Sequence, residues 1–222
     1  MQFDMRAMAP ANRYKILTAT IAPRPIAWIS TLSRDDSVNV APYSFFNAMG
    51  SDPPVVVVGI LRHAEDRMKD TGRNIVDSGE FVVNLVSESV AAAMNVTCID
   101  APPEVSEAEL AGLRMLPSER VRPPRIADSP VSFECRNLNS IITGPSQMIV
   151  LGEVLIAHVR DEFVLDAQRC HIDTPAIGLV GRMHGAGWYA RTRDMFQMER
   201  PRWETRQGGR EGGAQGGRQG GA

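Results

Sequence analysis

The sequence predicts a mostly β protein, an antiparallel barrel that is closed or nearly closed. Short apolar segments recur along residues 1–199, separated by turn sequences, and few long helical patterns interrupt them. Closure is favoured because it removes the exposed edges that an open sheet of such strands would leave. With 222 residues, 43% of them hydrophobic, the chain is long enough to bury a substantial core.

Six segments are predicted as strands. They are 25–32, 38–49, 54–61, 80–87, 131–143 and 148–159. The polar turn 33–37 predicts a hairpin between the first two segments, and Gly144-Pro145-Ser146 is a turn between the last two.

Two short helices are expected at the periphery. Asp70 is a suitable N-cap for a helix over 71–78, and Gly79 is a suitable residue to end it. Ser106, with a glutamate three residues later, resembles a capping box and predicts a second helix over 106–113.

The chain divides into a folded domain, 1–199, and a tail, 200–222. Residues 207–222 hold eight of the 19 glycines and no large apolar side chain, so this Gly/Arg-rich stretch is expected to be disordered. An RNA-contacting tail is the alternative, although no aromatic residues lie between the glycines. Within the domain, the proline-rich segment 99–130 is predicted to form an excursion outside the barrel.

Composition and motifs argue against several function classes. The net charge is −2 and the tail carries an excess of arginine, so the domain is acidic, which argues against nucleic-acid binding. Three widely spaced cysteines and four unclustered histidines argue against a disulfide framework or a metal site. We expect no membrane span, no signal peptide and a cytoplasmic location, because the chain lacks a long apolar run and a basic leader.

One constellation predicts the binding of a phosphorylated planar cofactor. Four blocks, RPIAWIST, NVAPYSFFNA, SDPP and KDTGRNI, follow one another and are succeeded by EFVVNLV. The first two are predicted strands that are dense in aromatic residues and small hydroxyls. The fourth begins a helix, where free backbone amides, the Lys69 ammonium and the Thr71 hydroxyl suit an anion.

These blocks, in this order and spacing, resemble the flavin reductase-like proteins that have the FMN-binding split-barrel fold. The flavoredoxin-like branch is the most similar part of that family, and the likeness covers roughly residues 10–195. The resemblance implies an antiparallel split β-barrel of Greek-key type. It also implies a homodimer that binds flavin at the barrel edge, near the subunit interface.

The resemblance implies which residues line the flavin. Backbone groups near Ala27 and Trp28 would meet the polar edge of the ring, and the side chains of Ser30 and Thr31 would reach the ribityl chain or the phosphate. The full implied set is Arg24, Ala27, Trp28, Ser30, Thr31, Ser44, Phe45, Phe46, Asn47, Lys69 and Thr71.

Several of these residues have an alternative role. Trp28 is also a suitable core residue, and Arg24 could pair with an acid at the surface. Phe45 and Phe46 are adjacent, so a regular strand would send them to opposite faces and only one to the flavin. His184 is the one speculative catalytic candidate, and its segment could instead serve dimer packing.

The activity implied is hydride transfer from NADH or NADPH to FMN, with FAD as the alternative flavin. The reduced flavin would serve a partner monooxygenase. Two other functions stay open: an electron carrier that holds FMN tightly, and a scaffold that binds through its basic tail. A Lys69→Ala change is predicted to weaken FMN binding.

Overall fold

The computed structural model describes residues 1–62, 67–99, 101–102, 105–201 and 203. Thirteen strands form within them: β1 (Ala27–Leu32), β2 (Val38–Tyr43), β3 (Phe45–Ser51), β4 (Pro54–Leu61), β5 (Glu80–Leu85), β6 (Met115–Leu116), β7 (Arg125–Ile126), β8 (Val131–Gly144), β9 (Gln147–Val159), β10 (Val164–Asp166), β11 (His171–Ile172), β12 (Val180–Arg182) and β13 (Tyr189–Arg191). The α-helices are α1 (Pro10–Thr20), α2 (Asp70–Ser78), α3 (Ala91–Val96), α4 (Glu107–Leu110) and α5 (Thr174–Ile177). Two 3₁₀ turns lie at Glu88–Val90 and Asp161–Phe163.

Seven strands form one antiparallel sheet in the order β2-β1-β5-β8-β9-β4-β3. Its two edge strands, β2 and β3, are consecutive in the chain and are separated only by Ser44. In a flat sheet, six spacings of about 4.8 Å would hold these edges roughly 29 Å apart. One residue cannot span that distance, so the sheet curls into a barrel. No ladder joins β2 to β3 among the strand pairs of the described residues, and this gap is the split.

The predicted strand 38–49 is wrong as a single element. The chain leaves β2 after Tyr43 and enters β3 at Phe45, on the opposite edge of the sheet. Pro42 lies in edge strand β2, where a missing amide is tolerated. The other five predicted strands are confirmed to within about two residues at each end.

The barrel separates two apolar layers. Ala27 and Ile29 of β1 face the barrel interior, which is filled mainly from β4, β5 and β9. Trp28, between them, faces an outer layer that includes Met94 of α3 and Val180 of β12. Every side chain from Ala27 to Thr31 is buried, because both faces of this inner strand are covered.

The sequence predicted some of the helices and missed others. Helix α2 is confirmed, and Gly79 ends it with a positive φ of 74°, which glycine adopts without strain. Helix α4 is shorter than predicted, although the hydroxyl of Ser106 does accept the Glu109 amide at 3.4 Å. Helix α1 was missed because its apolar residues follow no clear helical face. Pro10 at its start is the signal that could have indicated it.

At Gly152 of β9, the barrel interior has no room for a side chain. A Cβ at this position would overlap the ring of the fully buried Phe81. We expect Gly152→Ala to lower the free energy of unfolding by about 1–2 kcal/mol, because overpacking strains a close-packed core. Urea denaturation measures this, with Gly144→Ala as the matched control, since a Cβ at Gly144 meets nothing within 4 Å. Equal losses for the two variants would contradict the packing argument.

Candidate functional site

The start of helix α2 forms a cradle of backbone amides. Lys69 is the N-cap, with an extended backbone, and its own side chain makes no capping hydrogen bond to this end of the helix. Asp70 was predicted as the N-cap, which is wrong: it is the first helical residue, and its carboxylate pairs with Arg73. Because the first amides of a helix have no partner inside it, this end favours an anion.

Polar side chains connect this helix start to the first hairpin. The Asn39 side-chain amide donates to the Thr71 hydroxyl oxygen at 2.8 Å and to that of Thr31 at 3.2 Å. The Asn74 amide also donates to Thr31, at 3.1 Å. Thr31 and Thr71 are therefore brought together as predicted, although both are almost completely buried.

A cavity of about 140 Å³ lies beside the helix start, against edge strand β2. Besides Lys69 and Thr71, its lining includes Asn39, Tyr43, Cys98 and Glu107. Prediction missed these four as site residues. Asn39 and Tyr43 lie within a block that had been singled out, whereas Cys98 and Glu107 come from distant segments that carry no local signal.

Two side chains in this cavity have raised pKa values. Burial raises the pKa of the Glu107 carboxyl, although its hydrogen bonds oppose the shift, including one from the Val40 amide at 3.5 Å. Burial also raises the pKa of the Cys98 thiol, and the charge of Arg182 opposes that shift. Burial raises the pKa of Tyr189 on hairpin β12–β13, the charge of Arg182 opposes that shift and Cys98 adds to it.

A second groove, of about 390 Å³, lies between α1 and the edge strand β3. It collects five of the predicted site residues: Arg24, Ser44, Phe45, Phe46 and Asn47. Ser44 directly follows Tyr43, which lines the cavity at α2, so strand β2 leads from one recess to the other.

Phe45 and Phe46 point to opposite sides of β3. Phe45 packs near Tyr14 of α1, with ring centroids 5.9 Å apart, whereas Phe46 packs against the barrel interior. The alternation expected of adjacent strand residues is thus confirmed. Asn47 is exposed, and its side-chain oxygen accepts the Ala48 amide.

Arg24 is buried and binds backbone carbonyls. Its guanidinium donates to Thr18 at 2.7 Å, Ile21 at 2.8 Å and Met183 at 2.8 Å, and more distantly to the Ser44 hydroxyl at 3.4 Å. Burial lowers its pKa. Arg24 thus fixes α1 and the β12–β13 hairpin beside the groove, and the suggested ion pair with a surface acid does not form.

Ala27, Trp28 and Ser30 lie away from both recesses. The Trp28 indole N–H donates to the Thr97 hydroxyl at 2.9 Å, and the Ser30 hydroxyl donates to the Pro124 carbonyl at 2.5 Å. Ser30 and Thr31 cannot both face a phosphate, because neighbouring strand residues point to opposite sides. The backbone of β1 is paired with β2 and β5 over Ala27 and Trp28, so those residues serve as core.

His184 lies at the exposed tip of hairpin β12–β13. Its ring stacks on Trp188, with centroids 6.4 Å apart and planes inclined by 9°. Arg182 lies over the Tyr189 ring at 4.8 Å. The sequence GAGWYA, which resembles a dinucleotide-binding fingerprint, forms the turn of this hairpin and not the start of a helix.

The two recesses lie at the edge of the barrel: one has the helix-start amides and Lys69 beside the carboxyl groups of Asp70 and Glu107, and the other has aromatic surface. The family description "Flavin reductase like domain" matches residues 20–172, which include the whole lining of the cavity at α2 and all of the second groove except Leu17. The chain belongs to the flavin reductase-like family.

Relatives of this flavin reductase-like protein match it over nearly their full length. An uncharacterized protein of Deinococcus radiodurans is 43% identical, over 93% of this chain and 96% of the relative. The structure of 2-nitrobenzoate 2-nitroreductase NbaA from Pseudomonas fluorescens is 32% identical, with a TM-score of 0.83, over 91% of this chain and 98% of that one. The structure of nitrilotriacetate monooxygenase component B from Bacillus cereus is 31% identical, with a TM-score of 0.84, over 89% of this chain and 98% of that one.

The split-barrel prediction is confirmed by these structures and by more distant ones. The flavoredoxin of Desulfovibrio vulgaris has a TM-score of 0.70 at 18% identity, over 89% of this chain and 97% of that one, and so shares the fold. In the part of the chain that the structure describes, no helix is long and apolar enough to cross a membrane. Among the same residues, no group of three or more His, Cys, Asp or Glu side chains is placed to hold a metal ion.

The residues present fit a phosphorylated flavin. The helix-start amides of α2, with Lys69 and Thr71, supply donors and a positive charge at one end. Phe45 supplies apolar and aromatic surface at the other end, beside Ser44. Asp70 would repel a phosphate, but its pairing with Arg73 reduces that repulsion.

Proposed function

We propose that this protein is an FMN-binding NAD(P)H:flavin oxidoreductase. It would pass hydride from NADH or NADPH to flavin, and the reduced flavin would serve a partner monooxygenase. The observation that carries the proposal is the start of helix α2, with Lys69 and Thr71, in the cavity beside edge strand β2. The likeness to nitrilotriacetate monooxygenase component B supports the choice of partner.

Bound FMN supplies the hydride-accepting ring, which is the chemistry of the cofactor itself. The chain's own residues bind and orient. Lys69 and Thr71 would hold the phosphate, with the Asn39 amide, which also donates to Thr31, fixing the Thr71 hydroxyl. Ser44 and the exposed side of Phe45 would border the ring. FAD is the alternative flavin.

Two further residues would act around the ring. Arg24 would serve as a positioning residue, because its hydrogen bonds hold α1 and the β12–β13 hairpin against this groove. His184, on the exposed tip of that hairpin, is the candidate that would contact the nicotinamide.

We also propose a cytoplasmic homodimer. Cys98, Cys135 and Cys170 are all free, which suits a reducing compartment. The exposed β3 edge, with apolar recesses on either side of it, suits a second subunit.

The absorption spectrum of the purified protein, titrated with FMN and FAD, tests the proposal. We expect saturable FMN binding in the micromolar range or tighter, and no binding in that range would refute the proposal. NADH and NADPH oxidation is then measured with free flavin as acceptor, and with 2-nitrobenzoate because of the likeness to NbaA. An electron carrier would instead retain its FMN through purification and oxidise neither nucleotide.

A further inference from the structure

The last described residues form an exposed apolar arm. Residues 193–201 are all exposed, and with Trp203 we call them the C-terminal arm. Four large apolar side chains lie in it: Met195, Phe196, Met198 and Trp203, which are 58%, 85%, 78% and 72% exposed. Such a concentration of exposed apolar surface marks an interaction site more often than a solvated segment.

An apolar groove of about 580 Å³ begins where the arm leaves the body. Strands β3 and β4, including Ala48 and Val55, line it together with Val154 of β9 and Leu179. Thr192, the last residue before the arm, also lines it, and the Thr192 hydroxyl donates to the Leu179 carbonyl at 2.8 Å. The root of the arm is therefore fixed at the wall of this groove.

The arm does not lie in the groove of its own chain. Met195 is only three residues beyond Thr192, within roughly 10 Å of extended chain, yet more than half of it is exposed. If two copies face each other across a twofold axis with their grooves opposed, each arm root lies beside the groove of the other copy. A twofold interface makes that exchange reciprocal.

The size of the arm suits a stable dimer. Aromatic side chains bury about 150–250 Å² each, so Phe196 and Trp203 of two arms would bury roughly 600–1,000 Å². The grooves would lose a similar area, and the total reaches the range of about 1,200–2,000 Å² that is typical of stable interfaces.

We propose that the C-terminal arm of each chain docks into the apolar groove of a second copy. This inference rests on the proposed homodimer and adds the segment that forms it.

Sedimentation or light scattering of the full chain tests the arm. We expect Phe196→Asp to raise the dimer dissociation constant roughly 30-fold or more, as at an interface hot spot. Leu165→Asp, at a residue that is 68% exposed outside the arm and the groove, should leave it unchanged. A monomeric wild type, or a Phe196→Asp dimer as tight as wild type, would overturn the proposal. FMN titration of the same samples reports separately on the proposed flavin site.

Disulfide trapping tests whether the arm docks on its own chain or on a second copy. Phe196→Cys and Ala48→Cys are combined in a background of Cys98→Ser and Cys170→Ser, which removes the exposed thiols. Oxidation should give a covalent dimer on a non-reducing gel. A disulfide within one chain, or no disulfide, would contradict docking on a second copy.

Discussion

Lys69→Ala should weaken FMN binding by about 1–3 kcal/mol, which is roughly 5- to 150-fold in the dissociation constant. The variant removes a positive charge from the N-cap of α2, while the helix amides and the Thr71 hydroxyl remain. Charge-assisted hydrogen bonds to phosphate are stronger than neutral ones, so most of the loss should come from that single group. Fluorescence or absorbance titration at fixed ionic strength measures it.

Two controls isolate the phosphate. Lys15→Ala removes the only other lysine of the chain, which is exposed on α1, and should leave FMN affinity unchanged. Riboflavin lacks the phosphate, so Lys69→Ala should not alter riboflavin binding. An unchanged FMN dissociation constant, or an equal loss for riboflavin, would mean that the phosphate lies elsewhere.

The part of the candidate site that the sequence can indicate is local. Lys69 and Thr71 mark a helix start, and a helix start has orphan amides wherever it lies in a fold. Ser30 is separated from Thr31 for an equally local reason, because the two-residue period of a strand sends the two side chains to opposite sides. The same period separates Phe45 from Phe46.

The rest of the site depends on contacts between distant segments. Ser44 is the point where the chain crosses from one edge of the sheet to the other, and no pattern within 38–49 indicates this break. Cys98 and Glu107 enter the cavity from segments whose path is set by packing on the outer layer. Arg24 has a structural role, because its guanidinium binds backbone carbonyls. One of these belongs to Met183, which is distant in the sequence.

The second large effect is expected at Glu134, a buried carboxylate that prediction did not single out. Its Oε1 accepts the Glu119 amide at 2.8 Å, and its Oε2 accepts the Arg120 amide at 2.6 Å. The Nε2 atom of His158 lies 2.6 Å from the same Oε1. These bonds hold the proline-rich excursion, predicted to lie outside the barrel, against β8 and β9. The Glu134 side chain is fully buried.

Glu134→Ala should lower the free energy of unfolding by about 3–5 kcal/mol, because two partly buried amides and a histidine lose an acceptor that is itself fully buried. Urea denaturation at neutral pH measures the loss. Glu153→Gln is the matched control on the neighbouring strand, where an exposed pair with Arg136 should contribute less than about 1 kcal/mol. A loss at Glu134 no larger than that at Glu153 would contradict the role of this carboxylate.

The same carboxylate should give stability a pH dependence of defined sign. Burial alone would raise the pKa of Glu134, but the hydrogen bonds from the Glu119 and Arg120 amides and from His158 outweigh it and lower the pKa. A carboxyl with a depressed native pKa stabilises the fold fully above its unfolded value, about 4.3, and loses that contribution as the pH falls through the native value. The stability difference between wild type and Glu134→Gln, which cannot titrate there, should therefore be constant above about pH 5 and shrink on acidification. A difference that stays constant or grows down to pH 3 would show that the native pKa of Glu134 is not lowered.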